Sequence, residues 1–272
     1  MSLTSRLINS MPAWLLGLVI VGSSILICST LVYAVRRKWQ FDALKKNNEV
    51  AGFKYAVLGV LYAVVLAGAL ISVWEGYAEA REIANREADD MVQLSQLATA
   101  FPTATKLELR TQLHTYAESV INKEWDEMAK GGFSLESRRE LDSLFKVYAK
   151  IKPRDDAETQ FLSSSLDQLD IISDSRRSRI LKSQEGLPGV MWAVLLIGAV
   201  FTLAFTYLFG TENVKAQAVM TALLAGTMSL ALFVILCLDQ PFSGDTRVEP
   251  TALKRALDYM HANEAAEQSS VQ

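Results

Sequence analysis

Tyr55–Trp74, YAVLGVLYAVVLAGALISVW, runs directly into Glu75–Phe101, EGYAEAREIANREADDMVQLSQLATAF. The first half is twenty residues without a charge, and ~20 apolar helical residues are what a ~30 Å hydrocarbon core requires. The second half has no proline and one glycine, Gly76, so nothing interrupts a helix before Pro102. Within it Tyr77, Ala80, Ala84, Glu87, Met91, Leu94, Ala98 and Phe101 recur every three or four residues, with Glu87 the one charged member. That spacing is the seam of packed helices. The pair of stretches therefore predicts one helix that crosses a membrane and continues ~40 Å beyond it as part of a packed bundle.

Three further uncharged runs have the same character. Leu7–Val35 is closed by Arg36, Arg37 and Lys38; Leu187–Phe209 carries Pro188 in its first turn and Gly210 at its end; Ala216–Leu238 stops at Asp239 with Pro241 beyond. Backbone polar groups in lipid must be paired internally, so all four runs are expected as helices. The first is too long for a signal peptide and is followed by a basic stop-transfer cluster. Half of the 272 residues are hydrophobic and the net charge is -3. No basic, aromatic-laced stripe points to nucleic acid. The two cysteines, Cys28 and Cys237, fall inside predicted spans and allow neither a disulfide framework nor a zinc site.

Between the second and third spans the pattern is helical throughout. A second soluble helix is expected from Thr105, with Thr105 and Glu108 as a capping box and Leu109, Leu113, Tyr116 and Val120 as its stripe, ending at Gly131 and Gly132. A third spans about 135–151 with Leu141, Leu144, Phe145 and Tyr148 inward, and a fourth about 156–185 through Leu162, Leu166 and Leu169. The fold class is thus an all-α membrane protein with four transmembrane helices in two hairpins flanking an antiparallel helical bundle. Its expected divisions are 1–74 (spans about 12–35 and 55–74), a soluble four-helix domain at 75–186, a second hairpin at 187–238 (spans about 187–209 and 216–238), and a tail at 239–272. Beyond Thr251 the tail is expected to make a turn or two of amphipathic helix before a disordered polar end.

Small residues recur every fourth position in the second span at Gly59, Ala63 and Ala67, in register with Ile71, and again in the fourth at Ala222, Gly226 and, one short of the repeat, Ser229. Such rows let helices approach closely, either among the four spans, between subunits or around a pore. No Asp, Glu, Lys, Arg or His lies inside any span, which removes weight from proton pumps, voltage sensors and ion-coupled transporters and leaves a passive pore allowed. Glu75 and Asp239 end their spans on one side and are candidate pore-mouth charges, weighed against a plain solvated boundary. Glu87, placed in the seam, is a candidate buried functional acid. The acidic groups Glu87, Asp89, Asp90 and Glu124, Asp126, Glu127 read mainly as solvated helix faces, so no metal site and no cofactor is expected. His114 and His261 stand alone, and no catalytic or nucleotide-binding fingerprint occurs; an enzyme is disfavoured.

The loop at 36–54 carries six basic residues against Asp42 and Glu49. The positive-inside rule makes it cytoplasmic and the bundle extracytoplasmic, although Arg176, Arg177, Arg179 and Lys182 before the third span pull the other way.

Several stretches together resemble the bacterial bestrophin-like membrane proteins: NNEVAGFKYAVLGVLYAVV (47–65), VWEGYAEA (73–80), REA (86–88), EW (124–125), LPGVMW (187–192), TYLFG (206–210) and LDQPFSGD (238–245). The resemblance covers about Asn48 to Asp245. It implies two membrane hairpins around a helical region, homo-oligomeric assembly in a bacterial inner membrane, and an ion channel, with anions favoured where the acidic mouth would favour cations. It also implies a cytoplasmic bundle, against the charge rule. No pore-neck or calcium-site residue carries over. The competing reading is a non-conducting anchored sensor or scaffold whose bundle binds a ligand or partner.

Overall fold

The computed structural model describes residues 7–38 and 48–270. Among these every regular element is helical. Helix α1 is Ala13–Lys38 and α2 is Asn48–Leu97, continued by a 3-10 turn at Ala98–Ala100. Then follow α3 (Thr103–Ser119), a π-helical turn (Val120–Glu124), α4 (Trp125–Ala129), α5 (Leu135–Lys150) and α6 (Asp156–Gln184). The chain re-enters the apolar region as α7 (Gly189–Thr206), returns as α8 (Val214–Leu238) and ends with α9 (Thr251–Ser270). Four helical segments are long and apolar enough to cross a membrane: Ala13–Lys38, Asn48–Ala100, Asp156–Thr206 and Val214–Leu238. Much of the basic loop expected at 36–54, including Lys45 and Lys46, lies outside the described residues.

Helix α2 is 50 residues long, about 75 Å at 1.5 Å per residue, and it is the spine of the molecule. Its lower half packs on α7 and α8, its upper half on α6 and α9. Glycines set the contacts between spans. A Cβ at Gly198 on α7 would stand 2.6 Å from the Tyr62 ring, whose hydroxyl donates to Leu195 O at 3.1 Å. On α1, a Cβ at Gly17 would meet the Phe233 ring of α8 at 2.9 Å, and Gly226 of α8 sits against Ile25. The small-residue row of the fourth span therefore does pack within the chain, against α1.

The upper core follows the expected seam: Ala80, Ala84, Glu87, Met91, Leu94, Ala98 and Phe101 of α2 are buried against Leu109, Leu113 and Tyr116 of α3, Leu144 and Tyr148 of α5, and Leu169 and Ile172 of α6. Two helix starts are made by side-chain caps, with Ser134 accepting from Ser137 N at 3.1 Å and Asp155 from Glu158 N at 2.8 Å. The capping box at Thr105 and Glu108 does not form. Helix α3 begins at Thr103 with Pro102 at its N-cap and no side-chain cap bond, because the extended backbone of Pro102 already sets the turn.

The tail also differs from its expectation. It folds as a helix of 20 residues whose Leu253, Ala256 and Met260 enter the bundle core, while its polar half is tied to α3. Arg110 grips Glu267 through Nη1 at 2.9 Å and Nη2 at 2.8 Å, and Lys106 Nζ adds a third bond at 3.1 Å. His114 Nε2 lies 3.1 Å from Glu264 Oε1, and its ring meets the edge of His261 at 4.4 Å between centroids. The two histidines that stand alone in sequence are neighbours in space. The soluble bundle thus holds a fifth helix.

Two ionisable groups make this docking pH-sensitive. The Arg110 hydrogen bond holds Glu267 down to about 2. Burial pushes His114 below the usual histidine value; Glu264 and Glu118 oppose that shift, while His261 and Arg110 reinforce it. Both groups bind protons more readily when released, so their contribution is complete above the ordinary pKa and lost as pH falls through the lowered one. That loss begins below about 6.5 for the histidine and below about 4.3 for the carboxylate. Hydrogen-exchange protection of α9 relative to α2, corrected for intrinsic rates, is expected to drop between pH 7.5 and 5. His114→Gln should flatten that drop.

Candidate functional site: a buried charge cluster and an open helix face

Glu87 lies on α2 twelve residues past Glu75 and is fully buried. A carboxylate there persists only if compensated. Arg179 of α6, equally buried, donates to it through Nε at 2.5 Å and Nη2 at 3.0 Å, and the Tyr116 hydroxyl adds a bond at 3.1 Å. The same Nη2 reaches Glu124 Oε2 at 3.0 Å. Glu124 in turn receives Arg176 through Nε at 3.0 Å and Nη2 at 2.5 Å, and the Ser134 amide at 3.3 Å. The guanidinium of Arg179 stands 4.8 Å over the centre of the Trp125 ring, whose Nε1 donates to Val248 O at 2.7 Å. Phe242 meets the indole edge-on at 5.7 Å. Two carboxylates and two guanidiniums thus balance, in contact with α2, α3, α4, α6 and the segment after α8.

Local sequence explains how these groups converge. On α6, Leu169, Ile172, Arg176, Arg179 and Ser183 are all buried and follow one another at three- and four-residue steps, so the charges continue an apolar stripe. After α3 the buried positions Val120, Glu124 and Met128 are spaced by four, which in an ordinary helix drifts by ~40° per step. The π turn at Val120–Glu124 takes up that drift and keeps Glu124 and Trp125 inward. Burial works against the charge on Arg179, but Glu87 and then Glu124 outweigh it and hold its pKa up. Burial, followed by Glu87, pushes the Tyr116 phenol well up.

The cluster corrects two expectations. Glu124 is not part of a solvated face. Arg176 and Arg179 are not free interfacial charges beside the third span, and Lys182 on the same helix pairs with Glu79 at 2.5 Å. Glu87 is wholly buried, its carboxylate held by a guanidinium and a phenol. Among the described residues no group of three His, Cys, Asp or Glu side chains is arranged to hold a metal.

The sequence-predicted residues of the second span lie elsewhere. Ala63, Ala67 and Ile71 are exposed, Ile71 at 57%, and a Cβ at Gly59 would meet no atom within 4 Å. This row is not used to pack the four spans; it faces away from them. Glu75 continues the same face and is exposed. Asp239 does not share its setting. It is 5% exposed and accepts from the Leu187 amide at 2.5 Å, tying the end of α8 to the link between α6 and α7.

A long helix with a bare uncharged face below and a seam above, packed on α7 and α8 in the membrane half and on α6 and α9 in the upper half, is a specific arrangement. The model of the bestrophin-like domain matches residues 18–253. The chain belongs to the bestrophin-like family. Solved structures share this family fold: a bacterial bestrophin homologue from Klebsiella pneumoniae, phased on zinc, aligns with a TM-score of 0.62 at 14% identity, covering 87% of this chain and 97% of that one. A single-site variant of the same homologue gives 0.62 at 14%, covering 89% and 98%. A structure described only as a membrane protein variant gives 0.64 at 13%, covering 88% and 98%. Comparison with curated proteins finds no match. This bestrophin-like chain is a helical membrane protein, and the piece EW in its resemblance is the Glu124–Trp125 pair at the centre of the charge cluster.

Breaking a buried pair leaves a charge uncompensated, at a cost of about 3–5 kcal/mol. Arg179→Met should therefore destabilise the bestrophin-like fold by about that much, read as a lower midpoint of denaturant unfolding in detergent. The double variant Glu87→Gln with Arg179→Met keeps Arg176 and Glu124 as a neutral pair and should lose less than Arg179→Met alone.

Proposed function

We propose that this bestrophin-like protein forms a homo-oligomeric ion channel in a bacterial inner membrane, with α2 lining the axial path. The observation that carries the reading is the bare face of α2. Val60, Val64, Ala67, Ile71 and Glu75 follow steps of four, three, four and four, all exposed and uncharged until Glu75. Copies of one helix around an axis would make from it an apolar constriction followed by an acidic ring, a familiar pore construction. The upper half of α2, fixed by the charge cluster, would hold each copy in the same attitude. No described residue covers this face, and lipid alone would not call for the small residues Gly59, Ala63 and Ala67 along it.

Asp239 is withdrawn from the pore mouth, since its carboxylate serves the chain link at Leu187. Glu75 remains and would draw cations, whereas the family resemblance implies anions. Purified protein in planar bilayers should conduct, and the reversal potential under a salt gradient assigns the selectivity. Glu75→Lys should move that potential toward chloride. A correctly assembled ring that stays silent in both salts would overturn the channel and leave the anchored scaffold in its place.

For the side of the bundle we follow the positive-inside rule, which favours the outside of the cytoplasm against the family resemblance. The buried pairing of Arg176 and Arg179 and the link of Lys182 to Glu79 offset three of the basic groups that opposed that orientation. Lys152, on the exposed turn before α6, marks the bundle's side. Lys152→Cys should react with a membrane-impermeant maleimide in intact cells; protection until lysis would put the bundle in the cytoplasm.

A further inference from the structure

Above the membrane boundary the exposed front of α2 continues as Ala78, Glu82, Asn85, Asp89, Gln93 and Gln96. Helices α6 and α9 pack on its flanks. Gln168 of α6 donates to Asp90 Oδ1 at 2.8 Å, whereas α9 lies along Ala88 and Val92. Asp90 and Val92 are about 200° apart around a helix, so α6 and α9 hold opposite sides of α2. Copies arranged with this front toward a common axis therefore set the α6 flank of one against the α9 flank of the next, a heterologous contact that closes a ring.

Each flank carries an exposed stripe. On α6, Ser164, Asp167, Ile171, Asp174 and Ser178 follow steps of three and four; on α9, Arg255, Tyr259, Ala262 and Ala266 do the same. Ile171 and Tyr259 are each 48% exposed. Arg255 and Tyr259 edge an open groove of about 870 Å³ between α9 and α2, which Asp89 also lines. Among the described residues no carboxylate pairs with Arg255, which donates only to Thr251 O at 3.4 Å, and no cation pairs with Asp167 or Asp174. The stripes also match in height. Gln168 meets Asp90 and α6 descends from there, while Arg255 shares a groove with Asp89 and α9 ascends. Asp167 and Asp174 thus stand within about one helical turn of the level of Arg255, and Ser164 is level with Ala262. Rotation about an axis parallel to these helices leaves height unchanged, so in a ring the opposite charges meet.

We propose that α9 of each copy docks antiparallel on α6 of the next, with Arg255 seated between Asp167 and Asp174 and Tyr259 packed on Ile171. The occupant of the groove is a second copy of this chain, so this docking rests on the ring reading above and adds the contact that would hold the ring. Ala262 and Ser164 are small and let the two helices approach closely. Two α6 stripes set face to face would bring acid against acid, which disfavours a twofold dimer and favours the head-to-tail contact.

The test uses the full chain in detergent, with subunit number read by native mass spectrometry. Arg255→Glu alone, and Asp167→Lys together with Asp174→Lys, should each raise the dissociation constant of the assembly about tenfold or more. Combining all three substitutions puts opposite charges back across the contact and should recover most of that loss. Ala262→Cys with Ser164→Cys, oxidised, should link copies into a covalent ladder on denaturing gels that the unaltered chain does not give. These two positions lie on opposite flanks of one copy, too far apart to link within it. An assembly indifferent to both charge reversals, or one that gives no ladder, overturns this docking and leaves the channel standing. Weakening that the combined variant does not recover overturns it too. A chain that stays monomeric in detergent and in lipid nanodiscs overturns the docking and the ring together. Should a charge variant fail to fold, the cysteine ladder decides.

Discussion

The pairing of Arg179 with Glu87 and Glu124 is the interaction on which the upper half of the molecule depends. It joins the long spine helix, the π turn and the helix that feeds the third span, and no member can be removed without stranding a charge in the core. Apolar packing alone tolerates small slips between helices. A guanidinium that must reach two carboxylates does not, so the cluster fixes the relative register of α2, α3 and α6 as well as their proximity. Arg176, one turn away and paired with the same Glu124, closes the arrangement from its other side.

Below the bundle the constraint changes character. In a bilayer, apolar side chains gain nothing from leaving lipid for one another, so the spans are matched by shape. Gly198 under the Tyr62 ring and Gly17 under the Phe233 ring are places where only hydrogen leaves room. The result is a set of spans that packs small residues of α1, α7 and α8 but leaves the Gly59, Ala63 and Ala67 row of α2 bare, which is why the same sequence motif means packing on one helix and an open surface on another.

The spans, the continuous helix and its seam were legible because each is a local pattern of period three or four. The charged cluster was harder. Glu87 announced itself by breaking an apolar seam, but Arg176 and Arg179 read as basic residues beside a membrane, and only their phase with Leu169 and Ile172 marked them as inward. Glu124 sat among Asp126 and Glu127 and looked like one more solvated acid; the π turn that buries it has no sequence signature. Asp239 was placed correctly at the end of its span, yet its burial depends on a backbone amide fifty-two positions earlier, at Leu187. The length and docking of the terminal helix, expected as only a turn or two, were missed for the same reason. Its stripe is short, and the ion pairs that complete its docking come from α3, over a hundred residues away.

The length of α2 has a mechanical consequence. A continuous helix of about 75 Å with no internal proline has the form of a lever. Its membrane half is lightly held and its upper half is clamped by ion pairs. Pivoting it by about 4° about the clamped end would displace the far end by about 5 Å, roughly one helical pitch. A small rearrangement high in the bundle is thereby geared up into a displacement comparable to the radius of a hydrated ion, without any residue in the membrane having to change its own conformation.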